Sequence, residues 1–407
     1  MQKNEMDIQL NNQKGILCFY AYYAVMVLTK AIGLDSNNSL YMVMFLLGCL
    51  LLLYKLIVTE YTLAEIVKAL IFVGVGGICA LIASEKTIVL LAITIVGLKH
   101  CDFRETVRVA FWVRLVITVP FMLLALGEIF EPGLEDLMTT RFEWIKVYHF
   151  GYSTPNNAFI SIFIILVLYL YLRYEWLNYK HFVVTSVITM VFYELTNSRT
   201  GTLLMFGLWA LIFVDKFLTR ERLRKVYYWL LAASTFLCGI FSWAATMLYQ
   251  PTGSYAWEFV NRVFSGRLNI TQRYYRILSA TWLPRDNAAF EELSGYGFID
   301  NMYMNVFMHD GILLYLLLLV LITFSNYRLY RAHCYRELVF VTVFSVYAIL
   351  EEFPLNPTVN PFILFVGILM YSEITIGNQK YHWLKTPEWI AKLKKNWSRR
   401  KNESEQA

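Results

Sequence analysis

Charge is what this chain is shortest of: Asp, Glu, Lys and Arg make up only 16% of its 407 residues, where a soluble chain runs near a quarter. That scarcity excludes a secreted enzyme, a cytoplasmic nucleotide-binding domain and a disordered chain. Cysteine is sparse too. The six cysteines (Cys18, Cys49, Cys79, Cys101, Cys238 and Cys334) fall in apolar runs or on the inner side of the topology drawn below, so no disulfide framework is available outside. Also missing are a histidine and carboxylate cluster at metal-ligand spacing, a glycine-rich phosphate loop followed by Lys and Ser/Thr, and a serine flanked by glycines. Zinc chemistry and nucleotide hydrolysis find no support, and neither a metal nor a cofactor is expected. There is no internal repeat, no low-complexity tract and no soluble domain.

What fills the chain is apolar: 58% of residues are hydrophobic and 17% aromatic, gathered in blocks with the length and polarity of membrane spans. The expectation is an all-α polytopic membrane protein, a single integral domain over 1–407. About twelve spans lie near 16–34, 39–58, 63–83, 87–98, 107–127, 157–172, 182–196, 202–217, 227–249, 311–325, 337–350 and 361–376. The polar start through Lys14 reads as the approach to an uncleaved first helix. With both termini cytoplasmic, the inner segments carry 24 of the 36 Lys and Arg, which sets the orientation because cationic loops resist translocation. The tail 377–407 is basic and suited to anionic lipid headgroups. Two outer loops, 128–156 and 250–310, are long, and long loops on one side of a scaffold are where function usually sits.

Seven of the nine outer cations are arginine: Arg141, Arg199, Arg262, Arg267, Arg273, Arg276 and Arg285, beside Lys86 and Lys146. Arginine's planar fork binds phosphate bidentately and stays charged, so this selection on an acid-rich face points to an anionic ligand. Any one of them pairs equally well with a neighbouring acid. Four lie in 255–283, where aromatics around a Ser265-Gly266 break predict a pair of amphipathic helices at the outer interface. His149–Asn157 (HFGYSTPNN) precedes the sixth span, with Pro155 and a capping Asn156 or Asn157 marking a helix start. Asn197–Gly201 (NSRTG) is a tight turn that holds Ser198 and Arg199 at the outer mouth. Asp300-Asn301-Met302-Tyr303 leads to His309-Asp310, and Glu351-Glu352 heads the last outer turn; these groups include candidates for a general base.

In order and common sidedness, His149-x-Gly-x-x-x-Pro155-Asn156, Ser198-Arg199-Thr200, Ser265-Gly266-Arg267 and Asp300-Asn301-x-Tyr303 resemble the Wzy-type bacterial polysaccharide polymerases of the O-antigen polymerase and ligase superfamily. The resemblance runs from the first span to about residue 376. It implies a metal-independent, inverting glycosyltransferase of the membrane-embedded GT-C type in the bacterial inner membrane. Its substrates are oligosaccharides on undecaprenyl pyrophosphate, with membrane lipid, a flippase and a chain-length regulator as partners and no nucleic acid. Arg199 and Arg267, then Arg262, Arg273 and Arg276, would engage the pyrophosphate. Where ligase-like members place a His-Asn pair this chain has Asp300-Asn301, so Asp300, with His309 as the alternative, is the expected base. His149, Asn156, Ser198 and Tyr303 would shape the glycan site, and Tyr152, Tyr296, Tyr303 and Trp282 offer faces for sugars.

Two other functions stay open on the sequence. A ligase would pass the same donor glycan to another acceptor. A lipid-linked oligosaccharide flippase would carry ionisable residues through its spans, and here the only basic residues within spans are Lys30, Lys68 and Arg114.

Overall fold

The computed structural model describes residues 2–34, 38–83, 86–126, 134–138, 144–250, 254–264, 266–286, 299–371, 373–377 and 379–382, and of 2–10, 134–138, 144–145 and 382 the backbone alone. Arg141, Ser265, Tyr296 and nearly all of the basic tail lie outside the described residues.

The chain is mostly helical, as its apolar blocks predict. The helices are α1 (Gln2–Ala31), α2 (Ser39–Val58), α3 (Leu63–Ile82), α4 (Thr87–Gly97), α5 (Phe103–Leu126), α6 (Pro155–Leu172), α7 (Tyr179–Thr196), α8 (Arg199–Phe217), α9 (Glu221–Leu248), α10 (Tyr255–Val263), α11 (Arg267–Leu278), α12 (Ile312–Arg331) and α13 (Tyr335–Tyr347). Two departures from an all-α fold are the antiparallel ribbons β1 (Leu134–Met138) with β2 (Trp144–Tyr148), between α5 and α6, and β3 (Glu373–Ile376) with β4 (Gln379–His382).

Among the described residues, fewer than twelve helices are long and apolar enough to cross a bilayer. Seven helices (α2, α3, α5, α6, α8, α9 and α12) are long and apolar enough to cross a bilayer, which makes the protein a membrane-embedded one. α4 has 11 residues and α13 has 13, whereas a crossing takes about 20. The twelfth segment, 361–376, divides into a nine-residue 3-10 helix, Pro361–Leu369, and strand β3. The reason is visible in burial. Every residue from Pro361 to Ile368 is enclosed by protein, and a segment apolar on all sides reads the same whether lipid or protein surrounds it. α6 is likewise enclosed, while α2 and α3 turn most of their surface outward.

Three helix starts set up the site. Thr154 caps α6, its side chain accepting from Asn157 N at 3.2 Å, and Pro155 takes the first turn, where its missing N–H costs nothing. Neither asparagine serves as the cap, so Asn156 is left to reach sideways. Asn197, left-handed at φ 53°, closes α7 and lets α8 begin at Arg199. Gly266, at φ 84°, makes the break between α10 and α11 and delivers Arg267 as the first residue of α11.

Candidate active site

A cavity of about 820 Å³ opens among the C-terminal end of α1, the start of α4, the middle of α5, the start of α6, Arg267, the Asp300–Asp310 segment and the Glu351–Val359 turn. Four sequence-distant segments meet on its wall. Ser198 Oγ donates to Asn156 Oδ1 at 2.8 Å, and Asn156 Nδ2 donates to Glu351 Oε1 at 2.7 Å. Arg267 Nη2 donates to the same Glu351 oxygen at 2.8 Å, and Arg267 Nε donates to Asp300 Oδ2 at 3.1 Å. A third arm, Arg267 Nη1, donates to the Leu350 carbonyl. The backbone holds the two acidic segments in register: Met302 N donates to Ala348 O at 2.9 Å and to Glu351 O at 3.2 Å. Asn301 caps the short helical turn that follows, accepting from Met304 N at 3.1 Å.

The two carboxylates differ in access. Asp300 keeps 31% of its side chain exposed, whereas Glu351 keeps 7%. Burial pushes both above the usual carboxylate range; Arg267 opposes the shift in each, and the Asp300 charge adds to that of Glu351. The Arg267 guanidinium, although burial works against it, is held charged by Glu351 and Asp300. A proton acceptor has to be reachable by its donor, which selects Asp300 over Glu351.

Of the residues singled out from sequence, Asn156, Arg267 and Asp300 line the cavity and Ser198 joins them through Asn156. The others sit elsewhere. His309 is buried in the turn before α12, where desolvation and the nearby Arg285 push its imidazole down to about 4. His309 is not part of the cavity wall. Tyr303 is buried in the core and donates to Ser345 O at 3.0 Å. His149 has its Nδ1 buried without a hydrogen-bond partner and is not part of the cavity wall. Arg199, Arg262, Arg273 and Arg276 are exposed on α8, α10 and α11, outside the cavity, and Arg262 pairs with Glu258 one turn away. Arg273 and Arg276 lie on the face of α11 opposite its buried Leu268, Thr271, Gln272 and Tyr274.

Glu351, in sequence one of several carboxylates that could serve as a base, is the hub of this network. Lys30 and Arg114, in sequence merely charges inside spans, both line the cavity, as do Lys86, Asp310 and Glu352. The available signal was Arg114 in the middle of an apolar helix, where a charge is functional by default. Tyr152, a candidate sugar platform, lines the cavity while its hydroxyl donates to Ala31 O at 2.5 Å. Among the described residues no three His, Cys, Asp or Glu side chains gather at ligand distance.

Comparisons of the chain with protein-family models, with curated proteins and with solved structures found no match.

Proposed function

We propose that the chain is a membrane glycosyltransferase of the polysaccharide-polymerase type, joining oligosaccharide repeat units carried on undecaprenyl pyrophosphate at the outer face of a bacterial cytoplasmic membrane. The observation that carries this reading is the junction at Glu351. Asn156, Ser198, Arg267 and Asp300, marked in the sequence by four separate motifs, share one hydrogen-bonded chain at one cavity. Unrelated structural roles would give those motifs no reason to meet.

The chemistry follows from the parts. An acceptor sugar hydroxyl attacks the anomeric carbon of the donor sugar on the face opposite its diphosphate. The new C–O bond forms as the bond to the phosphate oxygen breaks, the electron pair departs on the diphosphate, and Asp300 takes the acceptor's proton. Arg267 aims Asp300, and Glu351 and Asn156 in turn fix Arg267, so the base is preorganised at little cost during reaction. Cations fixed in a partly dehydrated cavity stabilise the leaving charge more strongly than they would in water. A flippase and a chain-length regulator belong to this reading as partners.

The test is stoichiometric. Purified protein supplied with a lipid-linked repeat unit, with chelator and without nucleotide, should release one undecaprenyl pyrophosphate per linkage formed and invert the anomeric configuration; retention of configuration would sink the mechanism. One observation favours transport instead: Lys30 and Arg114, cations of the apolar helices α1 and α5, line the cavity. Transport releases no pyrophosphate, so the same measurement separates the readings. A ligase releases it without lengthening the chain of repeats.

A further inference from the structure

Arg114 stands twelfth of the 24 residues of α5, about 18 Å below the outer end of that helix at roughly 1.5 Å per residue. It is 1% exposed and lines the cavity. Its Nη2 donates to the Thr358 carbonyl at 2.9 Å, its Nε is buried without a partner, and it makes no ion pair with any described carboxylate. Thr358 is itself fixed, its N and Oγ1 both donating to Asn356 Oδ1 at 3.0 and 2.7 Å, and Tyr23 donates to the adjacent Pro357 carbonyl at 2.7 Å. The pocket around the guanidinium is therefore built, and a built pocket holding an uncompensated charge at mid-span is costly unless an anion completes it.

Arg267 is the opposite case. Its single charge meets two carboxylates, Asp300 and Glu351, and all three of its nitrogens already donate to the protein. A diphosphate approaching that cluster meets net negative charge. Two other cations inside apolar helices are satisfied: Lys68 donates to Leu369 O at 3.0 Å and Lys55 to Lys99 O at 2.9 Å.

We infer that Arg114 is the anion-binding residue of the cavity and takes the phosphate groups of a lipid diphosphate carrier, leaving Arg267 as a positioning residue for the carboxylates. Lys30, on the same cavity wall, is the second cation within reach of a diphosphate. The identity of the carrier rests on the proposed function; the existence of the anion site rests on the burial of Arg114.

The experiment measures affinity and thermal stability of the full chain in nanodiscs, with undecaprenyl pyrophosphate, undecaprenol and inorganic pyrophosphate as probes, for wild type, Arg114→Met, Arg114→Lys and Arg267→Lys. The inference expects undecaprenyl pyrophosphate to bind wild type and raise its melting temperature, with undecaprenol doing neither. Arg114→Met should weaken carrier binding at least tenfold while leaving the ligand-free melting temperature equal to wild type or higher, since an unpaired buried charge is removed. Arg267→Lys should retain carrier binding. If Arg114→Met yields no folded protein, Arg114→Lys decides, because lysine keeps the charge and loses the fork: carrier affinity equal to wild type overturns the assignment, and a loss of several-fold supports it. Inorganic pyrophosphate binding as tightly as the carrier overturns the lipid as the source. Arg114-dependent binding without chain growth would defeat the proposed reaction and leave the site standing; chain growth with binding indifferent to Arg114 would do the reverse.

Discussion

Asn156 and Glu351, 195 residues apart in the chain, are joined by a 2.7 Å hydrogen bond from the asparagine amide to Glu351 Oε1, the oxygen that also receives Arg267 at 2.8 Å. An ionised carboxylate can only accept, so Asn156 presents its NH2 group to Glu351 and its carbonyl to the Ser198 hydroxyl. The bond ties the start of α6 to the turn after α13 and, through Arg267, to the start of α11. Removing its acceptor should loosen all three.

Glu351→Ala leaves a largely buried arginine with one carboxylate in place of two and strands the Asn156 amide. Breaking a buried pair from one side costs about 3–5 kcal/mol, whereas Ser198→Ala removes one neutral hydrogen bond at about 0.5–1.5 kcal/mol. Denaturation of both variants in detergent should give that order. Equal losses would show that Glu351 is not the hub.

Asp300→Asn keeps an oxygen for Arg267 Nε and removes the proton acceptor. Turnover should fall by about 10²–10⁴-fold with folding intact, while His309→Gln, altering a group outside the cavity, should keep turnover within a few-fold of wild type. The acid limb of the wild-type rate profile should lie above the ordinary aspartate value of about 3.9, because burial raises Asp300. Wild-type turnover in Asp300→Asn would remove that residue from the chemistry.

His309 makes a separate statement about stability. Its folded value of about 4 lies below the ordinary 6.5, so the folded state favours the neutral ring. Its contribution is fully present above pH 6.5 and is lost as pH falls through about 4, reaching about 3 kcal/mol when both states are protonated. Stability measured from pH 7 to 4 should fall less steeply in His309→Gln than in wild type. Parallel curves would mean the imidazole titrates alike in both states.

Much of this was legible in the sequence, and the losses have physical causes. Hydropathy located the apolar blocks, yet it does not distinguish lipid from protein as the surrounding medium, so 361–376 and the short α4 and α13 read as spans. The breaks at Asn197 and Gly266 were readable because each supplies a left-handed residue at a helix end. Asn156, Ser198, Arg267 and Asp300 were found as motif members, and their junction was not, because Glu351 resembles any acid in an acid-rich loop until its neighbours are known. Arg114 is visible in the sequence as a charge in an apolar helix; only packing reveals that it has no counter-ion among the described residues.

Two glycines should differ in tolerance. Gly266, at φ 84°, has nothing within 4 Å of an added Cβ, whereas at Gly311, at φ 95°, an added Cβ would stand 2.8 Å from the Trp282 carbonyl oxygen and the Leu283 carbonyl carbon. Gly266→Ala should cost about 1–2 kcal/mol for its left-handed backbone, and Gly311→Ala should cost more, since the neighbouring backbone must also move. Melting temperatures in that order, both below wild type, are the expected result; equal temperatures would contradict the close approach.

The central claim is that this junction elongates a lipid-linked glycan, and its most direct test is electrophoresis of the products formed when purified wild-type protein and Asp300→Asn receive a lipid-linked repeat unit. The account predicts a ladder of multimers from wild type and unextended repeats from the variant. Persistent single repeats with wild type, or the same ladder from both proteins, would contradict it.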